Sequence, residues 1–281
     1  MPEETETVSI LRITEQDGTE MEDVVVREFP LTIILNNQEL VTLLCSPTNL
    51  KYLALGFLAS EGLIRTREEV KSILLDDQRG VARVQTEGSP DIAGDLIFKR
   101  FITSGCGRGA AFYSIADATN RVVRGQGSGI GVTDPCKLTP DLCISASRVF
   151  AVMREFQQRS EVFKNTGGVH SAALTDGERL LIFADDIGRH NAIDKIFGEC
   201  LWENIPTEDR VIVTSGRISS EILFKVAKRD IPIIISRAAP TDLAVRTASD
   251  LGITLIGFAR GKRMNVYANS WRVSESLASR K

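Results

Sequence analysis

An α/β fold (α+β overall) is predicted by three features of this 281-residue sequence. From about residue 170, short apolar strands alternate with amphipathic helices. That is the pattern of a sandwich with mainly parallel strands in its later half. Residues 1–14 and 18–44 are instead dense in β-branched residues and broken by turn signals. Between these parts lies Gly125-Gln-Gly-Ser-Gly-Ile-Gly-Val-Thr-Asp-Pro135, a glycine-rich stretch that reads as a crossover. The expected division is a smaller β-rich domain over 1–130 and an α/β domain over 131–281.

The elements follow in order. Val24 to Leu35 is β-rich and ends at the turn signal Asn36-Asn37. Ser46 as N-cap and Pro47 in the first helical position predict a helix start there. Leu50, Leu53, Ala54, Phe57 and Leu58 give it an apolar stripe, and Gly62 closes it. Short strands are expected near 72–76 and 80–86. A second helix is expected from Thr139-Pro140-Asp141, with Leu142, Ala146, Val149, Phe150 and Met153 on a packing face. Later elements are strands 171–175 and 180–185, helix 190–203, strand 210–214, helix 219–229, strand 231–236, helix 240–250 and strand 252–258.

Composition narrows the function. The chain is 43% hydrophobic and 25% charged, an ordinary globular balance. A formal net charge of −3 gives no global basic field, so nucleic acid is not an expected partner. The acidic start Met1-Pro-Glu-Glu lacks the apolar run of a secretory signal. No apolar stretch is long enough to span a bilayer, so no membrane role is expected. Five cysteines without framework spacing fit a reduced, cytoplasmic protein.

Cys106 is the candidate catalytic residue. It lies in Thr103-Ser-Gly-Cys-Gly-Arg-Gly109, between glycines that allow unusual backbone dihedrals. Arg108 would favour the thiolate, the nucleophilic form of a thiol whose free pKa is about 8.5. Cys45, Cys136, Cys143 and Cys200 read as small core hydrophobes.

Three late strands run into loops of similar character. Val211-Ile-Val leads to Thr214-Ser-Gly-Arg-Ile-Ser-Ser-Glu221, Ile233-Ile-Ile to Ser236-Arg-Ala-Ala-Pro-Thr-Asp242, and Thr254-Leu-Ile to Gly257-Phe-Ala-Arg-Gly-Lys-Arg-Met-Asn265. They offer Ser215, Arg217, Ser236, Arg237, Thr241, Arg260 and Arg263. Ligands of parallel α/β sheets bind beyond the carboxyl ends of strands, and helix N-termini there favour anions. A crevice for an extended phosphorylated ligand is the expectation. No Walker sequence is present, and Gly125-Gln-Gly-Ser-Gly opens no βαβ unit.

His190 lies in Asp185-Asp-Ile-Gly-Arg-His-Asn-Ala-Ile-Asp-Lys195, one helical turn from Asp194, which it can meet. A capped helix start and a polar cluster at the crevice are equally good readings of this segment. A deaminase-type zinc site needs His-x-Glu and Pro-Cys-x-x-Cys. Here Ser171 and Ala172 follow His170, and Lys137, Leu138 and Thr139 follow Cys136, so no zinc is expected.

Taken together, Gly56-Phe-Leu-Ala-Ser-Glu-Gly-Leu-Ile64, Ser104-Gly-Cys-Gly107, Thr166-Gly-Gly-Val-His170, Asp186 to Lys195, Thr214 to Glu221, Ser236 to Thr241 and Gly257 to Arg263 resemble the FdhD/NarQ family of formate dehydrogenase accessory sulfurtransferases. The segments run in family order from about 24 to 268. The resemblance implies a sulfur carrier that takes persulfide sulfur from a cysteine desulfurase. Delivery would be to the molybdenum cofactor, bound as Mo-bis(molybdopterin guanine dinucleotide), that formate dehydrogenase needs. It also implies a cytidine-deaminase-like three-layer sandwich without the zinc, and a homodimer. The stretch matching the family's cofactor-binding segment is Phe258, Ala259, Arg260, Gly261, Lys262 and Arg263. Asp242 is a candidate guanine reader, because carboxylates pair with guanine N–H groups.

One departure from the family pattern matters. Many members carry Cys-x-x-Cys in this loop, whereas Gly109 stands in place of the second cysteine. A dithiol relay within the loop is impossible, so Cys106 must carry the sulfur alone. The alternative is a cofactor-binding chaperone for formate dehydrogenase without transfer activity.

Overall fold

The protein's structure, a computed structural model, describes residues 3–87, 101–102, 110–111 and 142–275. β1 (Thr5–Ile13) and β2 (Gly18–Val26) form an antiparallel ribbon of their own. β3 (Phe29–Leu35), β4 (Gln38–Cys45), β5 (Val70–Asp76) and β6 (Val81–Thr86) make a four-stranded sheet in the order β4-β3-β6-β5. Asn36 and Asn37 join β3 to β4 with φ of 48° and 69°, as a tight hairpin turn demands. Helix α1 (Leu50–Glu61) covers one face of this sheet, burying Leu53 and Leu58 with Leu31, Ile33, Leu35 and Val84.

The main sheet has six strands in the order β11-β10-β12-β13-β14-β15. These are β10 (His170–Thr175), β11 (Leu180–Asp186), β12 (Val211–Thr214), β13 (Ile233–Ser236), β14 (Thr254–Arg260) and β15 (Arg263–Ala268). β12, β13 and β14 are parallel, and the outer pairings are antiparallel. Every residue of β12 and β13 is buried, as expected of strands covered on both faces.

Helices cover both faces. On one side lie α4 (Arg189–Trp202), α5 (Ser220–Ala227) and α6 (Asp242–Asp250), which pack Ile193, Ile196, Leu223 and Ala248 onto Leu174, Ile212, Ile234 and Leu255. On the other lies α2 (Ala146–Arg159), whose Val149, Val152, Met153 and Phe156 meet Val213, Ile235 and Ile256. The short α3 (Glu161–Thr166) follows it. Two minor ladders complete the fold: β7 (Phe101–Ile102) against β8 (Ala110–Ala111), and β9 (Ile144–Ser145) against β16 (Val273–Ser274).

The four-stranded sheet is tied to the sandwich through α1 and α4. A Cβ on Gly56 would lie 1.7 Å from the Asp194 carbonyl oxygen, and one on Gly198 would lie 1.9 Å from that of Tyr52. Only glycine lets the two helix backbones touch there.

Three expectations need correction. α1 starts at Leu50 with Asn49 as N-cap, not at Ser46. The Ser46 hydroxyl accepts from the Ile187 N–H, and the Ser46 N–H donates to Asp186, so neither is free to cap a helix. α2 starts at Ala146, where Ser145 accepts a hydrogen bond from the Arg148 N–H, and Leu142 precedes it. Residues 139–141 lie outside the described residues, as does the 130/131 domain boundary. Finally, Gly257 to Asn265 is not an open loop: β14 runs to Arg260 and turns through Gly261 (φ 61°) into β15.

Candidate functional site

The carboxyl ends of β12, β13 and β14 lie side by side, and their loops are laced together. The Arg237 N–H donates to the Thr214 carbonyl, Ile218 to Ala239, Thr241 to Ile218 and Phe258 to Ala238. Ser236, fully buried, donates to the Gly216 carbonyl at 2.6 Å and accepts from the Ala238 N–H at 2.9 Å. It therefore holds two loops in register and does not face a ligand.

Above these loops opens a crevice of about 510 Å³. Five of the expected residues line it: Ser215, Arg217, Arg237, Phe258 and Arg260. The Arg260 guanidinium sits 5.4 Å from the centre of the Phe258 ring. Three guanidiniums around one concavity, with no carboxylate among the described residues of its lining, suit an anionic ligand. Phe258 supplies an aromatic face and holds a left-handed backbone (φ 50°) at the β14 irregularity.

The remaining expected residues lie outside the lining. Ala259 is fully buried in the core and Lys262 and Arg263 are exposed at the β14–β15 turn. Thr241 accepts from the Ala244 N–H and so caps α6, spending one of the N-terminal donors expected for an anion. Asp242 is exposed, in an ion pair with Arg246 at 2.6 Å. Hydrogen bonding from the Leu243 N–H, then from Arg246, holds its carboxyl below the usual range.

The His190 segment is largely structural. His190 does not meet Asp194; its Nε2 lies 3.4 Å from Glu221. Asp194 accepts from Ser60 and from Lys225, each at 2.6 Å. Asp186 accepts from the Gly188 N–H, from Asn191 and from the Ser46 N–H. These contacts dock the α1 region onto α4 and account for the polar character of the segment.

Sequence reasoning left His170 out of the site, yet it lines the crevice beside Gly167 and Gly168. Its Nδ1 lies 3.3 Å from the Ser215 hydroxyl. Burial, then the charges of Arg189 and His190, lower its pKa. The signal was the pair of glycines before it, which leave the wall open at that point.

Cys106 and Arg108 lie outside the described residues, between the paired Ile102 and Ala110. Burial pushes the Cys45 and Cys200 thiols up to about 12, in keeping with inert core cysteines. Cys143 is exposed, contrary to expectation, because it precedes β9 instead of lying within a helix. Among the described residues, no helix is long and apolar enough to cross a membrane.

The model of the FdhD/NarQ family matches residues 26–274. The sulfur carrier protein FdhD of Bacillus pumilus is 45% identical over 253 residues, covering 90% of this chain and 91% of that protein. Its namesake in Bacillus subtilis is 42% identical over 266 residues, covering 95% and 96%. A crystal structure described as a formate dehydrogenase accessory protein, from Desulfotalea psychrophila, superimposes with a TM-score of 0.73 at 25% identity, over 96% of this chain and 99% of that one. This chain belongs to the FdhD/NarQ family.

Proposed function

We propose that the protein is a sulfur carrier for formate dehydrogenase, loaded at Cys106 by a cysteine desulfurase and unloaded to Mo-bis(molybdopterin guanine dinucleotide). The observation that carries this reading is the 42–45% identity, along nearly the whole chain, to proteins named as sulfur carriers. The arginine-lined crevice supports the second half, since a dinucleotide brings pyrophosphates that guanidiniums bind well. Arg217, Arg237 and Arg260 hold the phosphates, and Phe258 offers a stacking face. Cytoplasmic location and a homodimer belong to the same reading.

Loading is a thiolate exchange. The Cys106 thiolate attacks the outer sulfur of the desulfurase persulfide, a new S–S bond forms, and the desulfurase cysteine leaves as thiolate. Delivery as sulfide needs two electrons. An external thiol attacks the Cys106 sulfur, forms a mixed disulfide with it and expels sulfide to the molybdenum substrate. A second external thiol restores Cys106. With Gly109 in the loop, these thiols come from elsewhere.

The test is complementation of a strain lacking this accessory activity, reading formate dehydrogenase turnover. Wild type restores it, and neither Cys106→Ala nor Cys106→Ser does. Full restoration by Cys106→Ser would instead mark a cofactor chaperone without sulfur transfer.

A further inference from the structure

We infer that His170 and Ser215 form a proton-linked anion contact in the crevice, exchanging donor and acceptor roles when a phosphate group enters. The inference rests on the reading of the crevice as a site for a phosphorylated ligand.

The contact has room for such an exchange. The Ser215 hydroxyl accepts from the Ser171 N–H at 3.0 Å and keeps one hydrogen to give and one lone pair to offer. In the inferred neutral state the hydrogen goes to His170 Nδ1, 3.3 Å away. The ring hydrogen then resides on Nε2, which has no hydrogen-bond partner among the described residues. His170 lines the crevice, so Nε2–H is a donor available to a ligand. Backbone pairing holds the arrangement rigid, because the Ser215 N–H also donates to the Ser171 carbonyl.

Burial first, and then the surrounding charges, disfavour a proton on the ring in the empty crevice. Arg189 and His190 approach from α4 and Arg217 from the loop after β12. Among the described residues Asp186, opposite His170 in the β10–β11 ladder, is the one carboxylate acting on the ring, and it is already paired with Lys195 at 2.8 Å. A phosphate in the crevice adds the missing negative charge. The ring then takes a proton from solvent at Nδ1, and Nδ1–H donates to Ser215. The freed Ser215 hydroxyl hydrogen turns to the phosphate. The protonated pair thus offers two donors and a positive charge, where the neutral pair offers one donor.

Linkage makes the effect reciprocal: ligand raises the His170 pKa, and protonation raises affinity by the same factor. The probe is GDP-mannose, a pyrophosphate diester whose phosphates carry no titrating proton between about pH 5 and about pH 8. Calorimetry should show wild-type affinity rising about tenfold across that range as pH falls, one pKa unit of coupling. His170→Gln should bind with a flat pH profile. The chain has only two histidines, so His190→Gln assigns the ring signals in nitrogen-detected NMR. The free neutral His170 ring should be the Nε2–H tautomer, with a pKa that climbs on adding GDP-mannose. An Nδ1–H tautomer, or a pKa unmoved by bound ligand, overturns the inference while leaving the crevice as a binding site. Absence of GDP-mannose binding at every pH removes the crevice reading and this inference together.

Discussion

Lys195 Nζ lies 2.8 Å from Asp186 Oδ2, and both side chains are shut away from solvent. Lys195 also donates to the Asp185 carbonyl at 2.9 Å, and Asp186 accepts from the Ser46 N–H at 3.1 Å. The pair therefore sits on the joint between the α1 region and the sandwich. Removing one partner strands the other charge. Lys195→Met or Asp186→Asn should lower stability by roughly 3–5 kcal/mol, read as a shift of the denaturant midpoint. A change below roughly 1 kcal/mol would mean that water reaches the joint.

The glycine contact between α1 and α4 gives a second stability prediction. Gly56→Ala and Gly198→Ala each place a methyl against backbone of the facing helix, which has no side chain to move aside. Each should cost about 1–3 kcal/mol in thermal unfolding through overpacking. Since both force the same two helices apart, the double variant should lose less than the sum.

Binding should follow the crevice lining. Arg237→Ala and Arg217→Ala should each weaken GDP about tenfold, the loss of one charge-assisted contact, with binding that also weakens as salt rises. Arg263→Ala, exposed on β15 outside the lining, should bind within about twofold of wild type, because an exposed charge is strongly screened. The opposite ranking would move the site onto the β14–β15 turn.

His170 predicts a pH dependence of the ligand-free protein. Its folded pKa is lowered from 6.5, chiefly by burial. Between the lowered folded value and 6.5 the unfolded chain binds the extra proton, so stability falls as pH drops through that window. Above 6.5 the contribution is fully present. Denaturant midpoints should show this acid loss in wild type and lack it in His170→Asn.

Much of the fold was legible, and the misses share a cause. The strand–helix alternation from 170 to 260 sets its own boundaries, because β12 and β13 are continuous apolar runs and α5 and α6 present amphipathic faces. Ser46 misled because its hydroxyl is spent on Ile187, a partner 141 positions away that no local pattern reveals. β15 is legible in the alternation of Arg263 and Asn265 with Met264 and Val266, a signal masked by the run of basic residues from Arg260 to Arg263. Of the loop arginines, Arg217, Arg237 and Arg260 line the crevice and Arg263 does not. His170 did not stand out, since its partner Ser215 is 45 residues on and meets it only through the β10–β12 ladder. Ser236 and Thr241 belong to the loops that bound the crevice, but their hydroxyls serve the loops themselves.

The two buried thiols sharpen the question of which cysteine carries sulfur. Cys45 and Cys200, with pKa values near 12, should resist iodoacetamide in the folded protein, whereas exposed Cys143 should react. Labelling of Cys45 or Cys200 at neutral pH, read by peptide mass, would show that their cores open.

The most direct measurement is peptide mass spectrometry after incubation with a cysteine desulfurase and cysteine, under conditions that keep persulfides intact. One added sulfur should appear on the Cys106 peptide of the wild type, none on Cys45 or Cys200, and none anywhere in Cys106→Ala. Equal loading of Cys106→Ala, on Cys143 or elsewhere, would contradict Cys106 as the carrier.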